Sequence, residues 1–433
     1  MTTVLSADWV LPVSGPPIRN GAVAIEGGRI AAVGTRDELG PGIDYLDSVI
    51  LPGFVNAHSH LEYAVYAGFG DGLGDFATWV DLHTQRKRRI GFEDMLDIAR
   101  LGTADCLASG VTATGDCSFS GAAGVAAAEA GLRAIVYLEV FGADPAEALG
   151  QFESLRERVE GSLSERVRLG VSPHAPYSIS PDVYRACFEL GLPVATHISE
   201  SASEVRYLLD GSGPWEGIDW FVSPPGVTGT RLLAREGLLQ PRLLAAHCVV
   251  VDPDEIDLLA HHDVAVAHCP RSNAFLGCGI APVAELLAAG VRVGLGTDSP
   301  TSTPSFDMFD ELRAAVGLAR IRAGRADAMP AEQALELATL GSARALGLAD
   351  EIGSLEPGKL ADLAVVSLEG SPFLPWEDPS AAVVLGGSPQ RVAATLVGGE
   401  IRYERGAFDW HELRQRGVEA RDRLLGLAPS RSR

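Results

Sequence analysis

The ten residues Leu51-Pro-Gly-Phe-Val-Asn-Ala-His58-Ser-His60 form a short apolar run that ends in two histidines. Because side chains alternate along a β-strand with a period of two, His58 and His60 are expected on the same side of that strand. Two neighbouring imidazoles can bind one ion, and nitrogen and carboxylate ligands suit Zn²⁺ or Fe²⁺. This stretch therefore predicts a buried strand that ends at a metal site.

Further short apolar runs follow this strand, and stretches with helical spacing, such as 181–190, 252–262 and 306–323, lie between them. The runs begin at Val111, Ala134, Val167, Pro193, Leu243, Val264 and Val291. Strand and helix repeated about eight times predict a parallel fold, and the length suits a (β/α)8 barrel of the TIM type. An open doubly wound sheet is the alternative, but no Gly-x-Gly-x-x-Gly stands at a first strand–helix turn.

Both ends of the chain are rich in β-prone residues that flank pairs of glycines. Gly27-Gly28 separates two such runs near the start, and Gly398-Gly399 separates two near the end. Glycine tolerates the positive φ of a tight hairpin turn, so each pair predicts a β-hairpin. We expect a small β-sandwich domain formed by residues 1–50 and 351–433, the latter with a terminal helix, around a barrel of residues 51–350. Two unrelated β segments are the alternative.

Composition excludes several classes of protein. Of the 433 residues, 46% are hydrophobic and 21% are charged, which is enough to build a core and argues against disorder. The net charge of −22 argues against binding to nucleic acid or to an anionic membrane surface. Lysine is rare, since Lys87 and Lys359 are the only two in the sequence.

Cysteine usage and the N-terminal residues bear on the compartment. Six cysteines in 433 residues do not make a disulfide scaffold, and no Cys-x-x-Cys pair suggests a zinc ribbon. No signal peptide is recognised at the N-terminus, and no uncharged apolar run is long enough to span a membrane. We therefore expect a cytoplasmic protein.

Polar residues recur at or just beyond the carboxyl ends of the predicted strands. They are His58, His60, His174, His197, His247, His268 and Asp298. In a β/α barrel these positions converge on the face that holds the active site. A single histidine there is more often structural, but seven such residues together favour a metal centre. For His268 alone, a structural role and a site role remain equally open. His83, His261, His262 and His411 lie in helical or tail segments and are interpreted as surface residues.

Four motifs in this order resemble the amidohydrolase superfamily, in its branch of deaminases and chlorohydrolases that act on aromatic heterocycles. They are 51–60, His197-Ile-Ser-Glu200, Ala246-His-Cys248 and Gly294-Leu-Gly-Thr-Asp298-Ser. The tail Gly353-Ser-Leu-Glu-Pro-Gly-Lys-Leu-Ala-Asp-Leu-Ala is also typical of that branch. The resemblance covers nearly the whole chain.

The resemblance implies one divalent ion, Zn²⁺ or Fe²⁺, held by His58, His60, His197 and Asp298. Relatives with two ions bridge them through a carboxylated lysine at a strand end. Lys87 follows a helix-like segment and Lys359 lies in the C-terminal tail, so the sequence independently favours a single ion.

The resemblance also implies roles in catalysis. Glu200 matches the proton shuttle between the attacking water and the ring nitrogen, and His247 matches the residue that orients the water. Asp298 would accept a proton as well as bind the metal. His174 resembles a histidine that contacts substrate in adenosine-type deaminases. The alternative for Glu200 is a helix N-terminal acid stabilised by the helix dipole.

Arg271 and Asn273, within His268-Cys-Pro-Arg-Ser-Asn273, bear on the substrate. An arginine here resembles the aminodeoxyfutalosine deaminases, whose substrate is an adenine nucleoside that carries a benzoate. An arginine can bind a carboxylate with two hydrogen bonds. Asn273 would lie near the ring or the sugar. The alternative is that Arg271 only pairs with a nearby acid.

Phe76-Ala-Thr-Trp79 lacks a glutamate that methylthioadenosine and S-adenosylhomocysteine deaminases commonly use to hold the ribose. Phe76 and Trp79 are expected to stack on an aromatic part of the substrate, or else to pack in the core. Residues 212–230 are rich in proline and glycine and predict a long loop near the site.

The predicted activity is hydrolytic deamination of an aminated purine nucleoside, with aminodeoxyfutalosine of menaquinone biosynthesis first. Methylthioadenosine, S-adenosylhomocysteine or another adenosine-type substrate is the alternative, followed by dechlorination or amide hydrolysis of another heterocycle. A non-catalytic metal-binding scaffold is a different class, against which Glu200 and His247 argue. A small molecule is the expected partner, and a homodimer is one expectation, since relatives are often dimers or larger.

Overall fold

The computed structural model describes residues 2–73, 76–87, 89–371 and 377–427. The strands in these residues are β1 (Thr3–Val10), β2 (Ile18–Glu26), β3 (Arg29–Thr35), β4 (Ile43–Pro52), β5 (Phe54–Ser59), β6 (Val111–Ser118), β7 (Arg133–Val140), β8 (Val167–Pro173), β9 (Val194–Ile198), β10 (Leu243–His247), β11 (Ala265–His268), β12 (Arg292–Leu295), β13 (Leu363–Ser367), β14 (Val392–Val397) and β15 (Glu400–Glu404).

The described helices lie mostly between the strands of the central region. They are α1 (Arg36–Leu39), α2 (Phe76–Lys87), α3 (Phe92–Ala108), α4 (Ala122–Ala130), α5 (Pro145–Val159), α6 (Pro181–Glu189), α7 (Ala202–Asp210), α8 (Gly229–Arg235), α9 (Pro253–His261), α10 (Pro270–Phe275), α11 (Val283–Ala288), α12 (Met308–Ala323), α13 (Ala331–Glu336), α14 (Ser342–Ala345), α15 (Pro379–Gly386) and α16 (His411–Leu425). Leu61–Tyr66, Glu160–Ser162 and Pro389–Arg391 are short 3₁₀ turns, and Leu337–Gly341 is a π turn.

Strands β5 to β12 form one parallel eight-stranded sheet in chain order. The sheet closes where β5 meets the residues that follow β12. Asn56 Nδ2 donates to Thr297 Oγ1 at 2.7 Å, the Thr297 amide donates to Asn56 Oδ1 at 3.0 Å, and the Asp298 amide donates to the His58 carbonyl at 2.9 Å. The predicted (β/α)8 barrel is confirmed, and each predicted apolar run corresponds to one of its strands.

The terminal segments form a second sheet of seven strands in the order β15-β14-β13-β4-β1-β2-β3. Both predicted glycine-pair hairpins are present in it, as β2–β3 and β14–β15. The sheet curls so that its two hairpin turns meet. There the Gly399 amide donates to the Ala361 carbonyl at 2.8 Å, and the Ala361 amide donates to the Gly28 carbonyl at 2.9 Å. A Cβ on Gly28 (φ +78°) would stand 2.9 Å from the Gly398 carbonyl oxygen, so this meeting point requires glycine.

Two contacts tie the terminal segments to the barrel. Arg133 of β7 forms a buried two-pronged ion pair with Asp362 beside β13, at 3.0 and 3.1 Å. The terminal helix α16 packs on α3, where Arg423 Nε donates to Asp94 at 2.8 Å. None of the helices in the described ranges has both the length and the apolar composition that a membrane span needs.

The barrel strands are buried on both faces, as their apolar composition requires. Strands β5, β6 and β7 are buried along their whole length. Small side chains such as Ala57, Ala113 and Ala267 fill the barrel interior together with Ile135 and Tyr137. The carboxyl ends of the strands lie beyond this core and form the polar end of the barrel. The predicted site residues lie there.

Candidate active site

All four predicted metal ligands converge at the carboxyl end of the barrel. His58 and His60 stand at the end of β5, His197 lies in β9, and Asp298 follows β12. Asp298 Oδ1 lies 3.6 Å from His58 Nε2 and 3.5 Å from His60 Nε2. His60 Nε2 lies 3.4 Å from His197 Nε2. Four nitrogen and oxygen atoms thus face one point.

The chemistry of these donors fits a divalent ion. The side-chain nitrogens of His58, His60 and His197 lie within 4.8 Å of one another, as do the ligand atoms of His58, His247 and Asp298. The His58 Nε2 atom is buried and has no hydrogen-bond partner among the described residues. Since a buried polar atom without a partner is costly, an ion at this point accounts for it.

Outer contacts orient the ligands. His197 Nδ1 lies 2.8 Å from the His174 carbonyl oxygen, which can only accept, so Nδ1 carries the proton and Nε2 keeps its lone pair. Asp298 Oδ2 accepts hydrogen bonds from Ser272 Oγ at 2.6 Å and from Ser302 Oγ at 3.0 Å. These hydroxyls hold Oδ2 and leave Oδ1 directed at the histidines.

Burial favours the uncharged forms of His60 and His197. It lowers the pKa of His60 well below its usual value, with His58 adding to the effect. It lowers the pKa of His197 to about 3, again with a contribution from His58. Neutral imidazoles are the form that binds a metal, so the electrostatics agree with the geometry.

The backbone is strained where the site residues leave the strands. Ser199, His247 and Asp298 have φ values of +51°, +74° and +56°, in the left-handed region that non-glycine residues rarely occupy. Each lies within two or three residues of a strand end. Strain of this kind persists where the surrounding structure holds it, and it is typical of active sites.

Glu200 and His247 lie beside the cluster. Glu200 Oε1 is 3.7 Å from His247 Nε2, and burial, followed by the charge of Asp298, raises the pKa of Glu200 well above its usual value. The Glu200 amide donates to Glu204 Oε2 at 2.7 Å, which fixes the turn before α7. A buried carboxyl beside a metal cluster is suited to proton transfer.

Asn273 contacts His247, although the sequence suggested a place near the substrate ring or sugar. His247 Nδ1 lies 3.0 Å from Asn273 Oδ1, so Nδ1 donates and the lone pair of Nε2 faces the pocket. Burial lowers the pKa of His247 to about 4. Asn273 therefore holds the ring of His247 and is not among the described residues that line the pocket.

Arg271, which is expected to bind a substrate carboxylate, is not among the described residues that line the pocket. Its Nε donates to the buried Glu311 carboxylate, and its Nη2 donates to the Ser305 carbonyl at 2.8 Å. The Arg271 amide also donates to Glu311 at 2.9 Å. The guanidinium thus forms an internal ion pair through Nε, while Nη1 is buried without a hydrogen-bond partner among the described residues, so the contact of Arg271 with a substrate carboxylate stays a prediction.

An open pocket with an enclosed volume of about 90 Å³ leads from the outside to this cluster. His174 lines it, with Nδ1 2.8 Å from Ser178 Oγ, and so do Trp79 and, from the predicted loop of residues 212–230, Trp220. Tyr63, Phe141 and Tyr177 complete an aromatic wall. An aromatic lining of this kind suits an aromatic ligand that enters from the open side of the pocket.

The pocket also holds residues that the sequence did not assign to it. His83, interpreted as a surface residue, lines the pocket and stacks on Trp79 with ring centroids 5.4 Å apart. Lys87, which the sequence excluded as a bridge between two metal ions, lines the same pocket from the end of α2. Glu139 lines it from β7. No local pattern marks them, because the placement of α2 across the barrel end is a tertiary feature.

His268 and Phe76 are the two remaining predicted residues. His268 is buried but does not line the pocket, and burial lowers its pKa to about 3. Phe76 begins α2, but its side chain lies outside the described part of the structure, so its contact with substrate stays a prediction.

Comparison with known proteins decides the family. The model of the amidohydrolase family matches residues 49–402. The chain belongs to the amidohydrolase family. It is therefore a hydrolase that acts on carbon–nitrogen bonds, and the family's dependence on metal agrees with the cluster of histidines and Asp298. A second family model, an imidazolonepropionase-like composite domain of bacteria, matches only residues 21–40.

Curated relatives of this amidohydrolase cover almost its whole length. A 5-methylthioadenosine/S-adenosylhomocysteine deaminase of Moorella thermoacetica is 36% identical, with 92% of this chain and 93% of that protein covered. A 5'-deoxyadenosine deaminase of Methanothermobacter thermautotrophicus is 32% identical, with 90% and 91% covered.

Solved structures agree with the fold. An adenosine deaminase from Xanthomonas campestris with bound zinc is 28% identical and has a TM-score of 0.88, with 98% of each chain covered. An atrazine chlorohydrolase from Arthrobacter aurescens, complexed with zinc, has a TM-score of 0.81 at 22% identity, with 98% of this chain and 100% of that one covered. The latter likeness shows the fold alone.

Proposed function

We propose that this amidohydrolase deaminates an adenine nucleoside by hydrolysis and releases ammonia. The observation that carries the proposal is the position of Glu200 and His247, 3.7 Å apart, beside the four-ligand cluster and open to the aromatic pocket. A storage or scaffold site needs neither a proton shuttle nor an aromatic pocket. The adenosine-type deaminases among the relatives support the same reaction.

The chemistry divides among the residues of the pocket. When bound, a divalent ion in the cluster lowers the pKa of a coordinated water towards neutrality and so supplies the nucleophile. Glu200 takes one proton of that water and gives it to the ring nitrogen next to the amine-bearing carbon. Asp298 takes the second proton and gives it to the amine. A C–O bond forms, the C–N bond breaks, and ammonia leaves.

His247 and His174 position the attacking water and the substrate ring. His247 presents the lone pair of Nε2 because Asn273 accepts its Nδ1 proton, so it can accept a hydrogen bond and orient the attacking water. His174 lies beside His197, with ring centroids 5.0 Å apart, and is placed to contact the heterocycle. The aromatic wall excludes water from the ring and strengthens these interactions.

The first candidate substrate is aminodeoxyfutalosine, which would place the enzyme in menaquinone biosynthesis. With Arg271 committed to Glu311, the support for this substrate rests on the aromatic pocket and on Lys87 within it. The second candidate is an adenosine with a modified 5' carbon, such as methylthioadenosine, S-adenosylhomocysteine or 5'-deoxyadenosine. The names of the relatives favour that second class.

The test is ammonia release from a substrate panel by protein loaded with Zn²⁺ or with Fe²⁺. The panel contains aminodeoxyfutalosine, methylthioadenosine, S-adenosylhomocysteine, 5'-deoxyadenosine and adenosine. We expect deamination of at least one, abolished by a chelator and restored by the metal. If the metal-loaded protein releases ammonia from none of them, the proposed function is wrong.

A further inference from the structure

One cation lies among the acids and histidines of the pocket. Lys87 is the last residue of α2, and among the described residues that line the pocket it is the only lysine or arginine. Its Nζ lies 3.9 Å from the centre of the Phe119 ring and 5.7 Å from that of Phe141. These contacts place the ammonium against the rings of Phe119 and Phe141, which replace part of its solvation.

The position of Lys87 along the pocket can be followed from the metal cluster. The ring of His197 lies 5.0 Å from that of His174, and His174 lies 4.8 Å from Phe141. Lys87 follows Phe141 in this row. This row gives a nucleoside whose amine-bearing carbon lies at the cluster a path along which its sugar and 5' substituent can extend towards Lys87.

We propose that Lys87 binds a carboxylate on the 5' substituent of the substrate and thereby selects anionic nucleosides over neutral ones. This inference rests on the proposed function and names the class of substrate. Phe141, which lines the pocket beside the ammonium, can pack against an aryl group that carries the carboxylate.

Glu139 shares the electrostatic environment of Lys87. Burial raises the pKa of Glu139 to about 7, and the charge of Lys87 acts in the opposite direction. An ammonium has three donors, so Lys87 can bind a substrate carboxylate in addition to a partner within the protein. Arg271 is not among the described residues that line the pocket, and Glu311 and the Ser305 carbonyl hold its Nε and Nη2.

Kinetics with two substrates that differ only in charge test the proposal. Aminodeoxyfutalosine is compared with its carboxamide analogue in wild-type, Lys87→Met and Lys87→Arg proteins. We expect Lys87→Met to lower kcat/KM for the acid by roughly 10- to 100-fold, the contribution of one hydrogen bond to a charged group, and for the amide by less than about threefold. Lys87→Arg should keep most of the preference for the acid.

Lys359 provides a matched control because it is the other lysine of the chain. It lies outside the pocket and donates to Ser354 Oγ at 2.6 Å, so Lys359→Met should leave both substrates unchanged. Equal losses for acid and amide in Lys87→Met would overturn the proposal. So would a wild-type enzyme that uses the amide as well as the acid.

Amine-reactive labelling of the wild-type protein gives a readout that does not depend on turnover. The modification of Lys87 and of Lys359 is measured by mass spectrometry with benzoate or with benzamide as the probe. We expect benzoate to protect Lys87 and not Lys359, and benzamide to protect neither. Absence of protection by benzoate, or equal protection by benzamide, would overturn the role of Lys87. Failure to release ammonia from any nucleoside would instead refute the proposed function, and the two failures are therefore distinguishable.

Discussion

Replacement of Arg271 by methionine should damage the stability of the protein and leave its choice of substrate unchanged. Glu311 is fully buried, with a side-chain exposure of 0%, and Arg271 is exposed by only 11%. Removal of the guanidinium leaves the Glu311 carboxylate with the Arg271 amide, at 2.9 Å, as its remaining donor in this contact. A buried charge that loses its partner is costly, because protein groups no longer replace the lost water.

The size of the effect follows from the burial of the pair. Removal of one partner from a buried ion pair costs about 3–5 kcal/mol. Burial already raises the pKa of Glu311 although Arg271 opposes it, and the variant should raise it further. An acid whose pKa is raised in the folded state destabilises the protein at pH values above the pKa that the acid has in the unfolded state. The stability lost in Arg271→Met should therefore be largest at alkaline pH and should shrink as Glu311 takes up a proton.

Urea unfolding followed by tryptophan fluorescence, at pH 8 and at pH 5, measures this effect. We expect Arg271→Met to lose stability mainly at pH 8, and the double variant Arg271→Met/Glu311→Met to recover most of it, since apolar side chains often replace a buried pair without cost. The ratio of kcat/KM for aminodeoxyfutalosine to that for its carboxamide should stay as in the wild type. A variant of normal stability that loses its preference for the acid would refute this reasoning.

Three more substitutions test the site. Glu200→Gln should keep its metal, measured by elemental analysis, and lower kcat by roughly 10²- to 10⁴-fold because the proton shuttle is lost; loss of metal would contradict the role. Asn273→Ala should lower kcat about tenfold with little change in KM, since His247 loses the acceptor for its Nδ1 proton; a change confined to KM would point to direct substrate contact. Glu139→Gln should stabilise the protein at pH 8 by up to about 3 kcal/mol and have little effect at pH 4.5. The reason is that the pKa of Glu139 is raised to about 7 from 4.5, so the wild-type protein loses stability as the pH rises through that range and the variant does not. Equal urea midpoints for wild type and variant at pH 8 would contradict the last expectation.

The sequence was sufficient for the features that depend on a few neighbouring residues. The alternation of side chains in β5 brings His58 and His60 to one side, and the glycine pairs make both hairpins. The repeat of apolar runs predicts the barrel, and the barrel in turn explains why His197 and Asp298 meet those histidines. Each step follows from strand periodicity and from the convergence of parallel strand ends.

Only the tertiary structure decided which charges meet. Arg271 and Glu311 lie 40 residues apart, and they form a buried ion pair. The placement of α2 brought His83 and Lys87 to the barrel end, and Glu139 entered from a strand that carries no histidine motif. Local propensity reports whether a segment is helix or strand, but the partner of a charged side chain is set by the packing of segments distant in the chain. For the same reason, the scarcity of lysine was visible in the sequence, and the position of Lys87 in the pocket was not.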